Sequence, residues 1–77
     1  MTFEAIRSRL AVRPFQPFRI VTSSGETYDV RHPEMAVVTK TEIAVARADD
    51  DGTPSRLVLV SAVHITALEP LETAGAA

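Results

Sequence analysis

YDVRHPEMAVV, residues Tyr28 to Val38, holds a polar knot between two apolar patterns. On its N-terminal side Tyr28 and Val30 alternate with Asp29 and Arg31, the period of a strand with one buried face. On its C-terminal side Met35 to Val38 opens a second run rich in β-branched residues. His32 precedes Pro33, and a residue before proline is held away from the helical region. Proline also removes a ladder donor, so the strand must end, bulge or run along an edge here. Arg31-His32-Pro33-Glu34 therefore reads first as a corner between two strands, the kind of break a bent sheet needs. In the other reading, Arg31, His32 and Glu34 are the exposed polar groups that a partner would meet.

Working back toward the N-terminus, Ser23-Ser24-Gly25-Glu26 is a turn signal. Phe18 to Thr22 alternates as a strand, which makes a strand–turn–strand hairpin. Before it, Arg13 to Phe18 reads RPFQPF. This is either a PxxP ligand for a recognition domain or, the favoured reading, a stiff connector whose Phe15 and Phe18 anchor a core. The first segment carries Phe3, Ile6 and Leu10 on one stripe behind a capping Thr2, which predicts a helix over 2–11. A helix this short is unstable alone and must lie on something.

Working forward, Met35 to Ala48 places two apolar runs around Thr39-Lys40-Thr41-Glu42, either a second hairpin or one long bent strand pair. Asp49 to Ser55 is a loop. Its adjacent acids do not match the alternate spacing of a calcium loop. Leu57 to Val60 is a near-continuous apolar strand, Ser61 to Val63 a tight turn, and Ile65 to Leu68 a last strand before Pro70. The expectation is an α+β domain, mainly β, spanning 1–70. An N-terminal helix caps about five short strands in a bent antiparallel sheet or small barrel, with 71–77 a disordered tail.

The 77 residues carry a net charge of −2 and no cysteine. Disulfides, thiolate metal sites and thiol nucleophiles are thereby excluded. Two histidines, with Glu34 beside His32, fall short of a zinc site within one chain, and no metal or cofactor is expected. Serines 23, 24, 55 and 61 lie in no nucleophile motif, so no catalytic residue is assigned and the chain is expected not to be an enzyme. No apolar stretch approaches the ~20 residues needed to cross a bilayer, and no secretory leader is evident, which makes a cytoplasmic setting the expectation. A core this small buries only about 60% of its unfolded surface. With no staple available, self-association is the expected supplement.

Charge is unevenly placed. Residues 1–31 hold five arginines and three acids, and the remainder three bases and seven acids. Arg7, Arg9, Arg13 and Arg19 are thus the candidate nucleic-acid surface. Arg31, His32, Glu34 and His64 are the candidate ligand or partner surface.

The pattern PFQPFRI, GETYDVRHPE, DDDG and HITALEP resembles a family of short bacterial proteins of about this length, over Pro14 to Pro70; no activity comes with that resemblance. The order of elements resembles the Sm-like and SH3-like small barrels. Within the Sm-like fold, the bacterial RNA chaperones form rings by strand pairing and bind RNA on ring faces. Gly25 matches the fold's first hairpin glycine, and His64 lies near the position of a histidine that contacts RNA. Val30 and Val63 stand where the fold has a second glycine and a lysine. The resemblance implies a homo-oligomer, with RNA binding as the alternative function to a non-catalytic, self-assembling interaction module.

Overall fold

A computed structural model describes residues 1–71. Helix α1 spans Phe3–Ala11, followed by strands β1 (Phe18–Thr22) and β2 (Thr27–Val30). A single 3-10 turn at Pro33–Met35 leads to β3 (Ala36–Val38), β4 (Glu42–Ala48) and β5 (Pro54–Ser61). A second 3-10 turn at Ala62–His64 leads to β6 (Ile65–Pro70). Strand order is β2-β1-β6 in one sheet and β3-β4-β5 in the other, and all pairings are antiparallel.

The fold is thus one helix with a mostly β body, as its alternating patterns predict, but the strand arrangement needs correcting. Six strands in two three-stranded sheets replace the single five-stranded sheet or barrel. The physical reason lies at Pro33. It starts a 3-10 turn behind an extended His32 (φ −139°, ψ 144°), and Met35 N–H donates to His32 C=O at 3.0 Å. One turn of this kind ends pairing in the first sheet and starts it in the second, so β2 and β3 have different neighbours. The Ala62–His64 turn carries the chain back to the first sheet, one residue later than the expected Ser61–Val63 turn. The alternative left open at Met35–Ala48 resolves as a hairpin, in which Ala36, Val37 and Val38 pair with Val45, Ala44 and Ile43. Pro54, placed in a loop by its sequence, begins β5 beside a register shift at Arg47/Ala48. An edge strand next to a bulge tolerates the missing donor.

Period-two alternation sends Phe18, Ile20 and Thr22 of β1 inward. Phe18 and Ile20 meet Ile6, Val30, Ile43, Val45, Val60 and Ile65 in one core, with Ala36 at its margin. Helix α1 packs against β3 through Ile6, which is fully buried, while Phe3 and Leu10 are half-buried flanks. Thr2 Oγ1 accepts from Ala5 N–H at 3.3 Å and caps the helix. The Arg13–Pro14 peptide is cis. In the β1–β2 turn Gly25 takes φ +90°, a left-handed conformation that suits glycine. Leu71, assigned to the tail by sequence, donates its N–H to Pro17 C=O at 3.0 Å. The rest of the expected disordered tail, 72–77, lies outside the described residues. Among the described residues, no helix is long and apolar enough to cross a membrane.

Phe18 illustrates how the connector RPFQPF acts. The Phe15 and Phe18 rings sit 6.1 Å apart and tilted by 58°, an edge-biased packing that aromatic quadrupoles favour. The Arg9 guanidinium lies 5.7 Å from the Phe18 ring centre. Its Nε and Nη2 are buried without a hydrogen-bond partner among the described residues. Cation–π attraction returns ~0.5–2 kcal/mol, against ~1–3 kcal/mol or more for unmet buried donors. Arg9→Met keeps a long stem over the ring and removes those donors. We expect the variant to raise the thermal midpoint, by about 4–8 °C for ~1 kcal/mol in a domain of this size. A lowered midpoint in calorimetry would show that the contact with Phe18 outweighs the unmet donors.

Candidate functional site

The sequence-derived candidates do not form one site. Arg31, His32 and Glu34 are exposed around the Pro33 corner. His64 is exposed on the other 3-10 turn. Among the described residues, no hydrogen bond or ion pair joins His64 to the corner.

Arg31 and His64 border separate open clefts. The first cleft, about 320 Å³, lies between β2 and the later half of β4, and its wall includes Tyr28, Asp29, Arg31, Met35 and Arg47. Arg47 bridges this gap. Its Nη2 donates to Thr27 C=O at 3.1 Å and approaches Glu26 Oε2 at 4.0 Å. Its guanidinium stacks 4.8 Å from the Tyr28 ring centre. The second cleft, about 400 Å³, lies beside the β1–β2 turn and is bordered by Thr22, Ser23, Tyr28, Leu59 and His64. There Ser23 N–H donates to His64 C=O at 2.8 Å, and Ser23 Oγ lies 3.5 Å from His64 Nδ1. The short backbone bond ties the two turns together; the side-chain contact is long and exposed. Activating a serine needs a base that is itself oriented by a third group. Among the described residues no acid hydrogen-bonds the His64 ring.

The arginines expected to form a basic surface are largely engaged within the chain. Arg19 Nε and Nη2 donate to the two Asp29 oxygens at 2.8 and 3.4 Å, across the β1–β2 pair Arg19↔Asp29. The hydrogen bond and charge of Asp29 push the Arg19 guanidinium above its already high value. Arg31 shares the same carboxylate at 3.4 Å. These pairs are largely open to solvent, which screens them, so they orient side chains more than they stabilise the fold. Arg13 Nη1 donates to Leu10 C=O at 2.8 Å and Val12 C=O at 2.9 Å, closing the helix C-terminus. Arg9 lies over Phe18. Arg7 is exposed, and no ion pair or side-chain hydrogen bond engages it among the described residues.

In the acidic loop, Asp51 Oδ1 accepts from Thr53 N–H at 2.8 Å. Hydrogen bonds from the Thr53 backbone and side chain hold the carboxyl below the usual aspartate range. A carboxyl depressed in the folded state contributes stability above its unfolded pKa and loses it as pH falls through the folded value. A carbon-detected NMR titration is therefore expected to place the Asp51 midpoint below that of an aspartate in the unfolded chain, and Thr53→Ala to move it upward.

The features that sequence reasoning missed are apolar. Val37, Leu57 and Leu59 are 63%, 71% and 67% exposed. Ala44 pairs with Val37 on one side and Leu59 on the other, so the three strands carry one apolar row on their outer face. Ala46 and Leu57 form a second row beside it. The signal was present in Leu57 to Val60, where apolar residues fill both faces of one strand. Such a run reads equally as a strand buried on both sides, and only the topology shows that β5 is an edge with one face outward. Comparison with known proteins brings no family model, curated protein or solved structure into match with this chain.

Proposed function

We propose that this chain is a non-catalytic interaction module that assembles with copies of itself, on a small bent fold of the Sm-like or SH3-like type, in a cytoplasmic setting. The observation that carries the reading is the outer face of β3-β4-β5. Large apolar side chains standing in rows beside an open strand edge are uncommon on a monomer and mark an interaction surface. The small-barrel type is supported by the two 3-10 turns, which pass the chain from one sheet to the other and back.

Size-exclusion chromatography with light scattering tests the assembly. The expected mass at high micromolar concentration is a multiple of 8.3 kDa. A chain that stays at the monomer mass there overturns the reading.

The second reading is an Sm-like RNA-binding ring. It rests on the cleft where Arg31 and Arg47 flank Tyr28, since cations beside an aromatic face suit a stacked base. Single-stranded RNA titrated at two salt concentrations separates the readings. Binding that weakens with salt supports the ring; no binding at low salt removes it.

A further inference from the structure

The open edge of β5 has a feature beyond hydrophobicity: its sequence is nearly a palindrome. Ser55-Arg56-Leu57-Val58-Leu59-Val60-Ser61 reads the same in both directions except for Arg56 and Val60. Resting on the self-assembly reading above, we propose that two copies of the chain join β5 to β5, antiparallel, about a two-fold axis through Val58. The product is a continuous six-stranded sheet made of two β3-β4-β5 sheets.

The hydrogen-bond parity of the strand supports that axis. Ala62 N–H donates to Thr41 C=O at 2.8 Å, which makes Thr41/Ala62 a hydrogen-bonded pair. Antiparallel ladders alternate such pairs with non-bonded ones. In the β4–β5 register the bonded pairs are therefore Ile43/Val60, Val45/Val58 and Arg47/Arg56. The N–H and C=O groups of Leu57, Leu59 and Ser61 then point the other way, to the edge that no described strand covers. An axis through Val58 sets each Leu57 opposite Leu59 of the second copy, and both residues present free backbone groups. Every such pair exchanges two backbone hydrogen bonds. Moving the axis to Leu57 or Leu59 keeps the parity but sets leucine against serine.

Side chains agree with the same register. Val37, Ala44 and Leu59 of one copy continue into Leu57 and Ala46 of the other, an apolar row across five strands. The mirror row does the same. Ser61 and the register shift at Ser55 bound the regular run, and Pro54 and the Ala62–His64 turn end the pairing beyond them. Arg56 faces Val60, and the two Arg56 side chains are offset by four residues, ~13 Å along the strand. No like charges stand opposite each other. From Leu57 to Val60 the edge carries none of the usual protections, neither lysine, proline nor bulge.

The experiment is site-directed cross-linking in a chain with no native cysteine. At the axis, Val58→Cys meets its own copy in a non-bonded pair, where Cα atoms are ~4.5 Å apart, within disulfide reach. Ser55→Cys is the control, because two Ser55 residues lie six residues apart in register, ~20 Å. Under mild oxidation V58C is expected to form dimer at least tenfold faster than S55C. Mixed L57C and L59C chains, altered only at exposed positions, are expected to form the heterodisulfide and keep the test independent of packing at Val58. If the chain associates but neither V58C nor the L57C/L59C mixture exceeds S55C, the interface lies elsewhere. This inference then fails while self-assembly stands. A wild-type chain that remains monomeric in light scattering overturns both.

Discussion

Phe18→Ala is expected to remove a large share of the chain's stability. The ring is fully buried. It sits on β1, the central strand of its sheet, paired with Val30 on one side and Pro70 on the other. It also contacts Phe15 and lies beneath Arg9. Truncating a buried phenylalanine costs ~3–5 kcal/mol, the lost transfer energy plus the cavity left behind. At ~0.05–0.15 kcal/mol per residue the whole chain has only about 4–12 kcal/mol. A second cost follows here, since Arg9 would lose the ring that offsets its unmet donors. Urea unfolding followed by circular dichroism measures the effect. A loss under ~1.5 kcal/mol would mean that Phe15 collapses into the space, and that the connector rather than β1 supplies the anchor.

The same residue shows why much of the fold is legible in the sequence. Phe18-Arg19-Ile20-Val21-Thr22 alternates at the period of a strand, and the burial follows that alternation. Helix α1 is equally plain, from its Thr2 cap to the chain's departure at Val12. Sheet membership was not legible, because it is a non-local property. Nothing around Thr27–Val30 and Ala36–Val38 states that one strand pairs with β1 and the other with β4. Pro33 announces a break but not its consequence, which is that the chain changes sheets. A corner inside one bent sheet and a crossing between two sheets use the same local chemistry.

The site was less legible for a related reason. Reading charge along the chain gathers Arg7, Arg9, Arg13 and Arg19 into one basic segment. In space Arg19 answers Asp29, Arg13 closes the helix, and Arg9 turns onto Phe18. Net charge by segment measures what a stretch carries, not what remains unpaired after folding. Arg47 shows the converse. It sits in the acidic part of the sequence, yet it spans the gap to β2 and stacks on Tyr28. The Leu57–Val60 run misleads in the same way, since it looks like the innermost strand and is an edge.

The largest effect on assembly is expected from the double variant Leu57→Lys/Leu59→Lys. Both side chains are about two-thirds exposed or more in the single chain. Changing them should leave unfolding of the monomer within ~0.5 kcal/mol. In the paired sheet the outcome differs. Burying a leucine contributes up to ~1.5–3 kcal/mol, and each β5–β5 junction holds two Leu57–Leu59 pairs. The variant removes that burial and sets lysine directly opposite lysine, which repels. A rise of at least ~100-fold in the dissociation constant follows, equivalent to ~2.7 kcal/mol. Sedimentation equilibrium reads it. Val63→Lys is the matched control: it is 79% exposed but lies on the 3-10 turn beyond β5, so it should leave the mass unchanged. Thermal unfolding adds an independent reading. An associating chain gains stability by mass action, so its midpoint should rise with concentration. The double variant should lose that dependence and V63K retain it. If V63K dissociates the assembly as fully as the double lysine does, the effect is one of general charge, and the β5 edge is not where the copies meet.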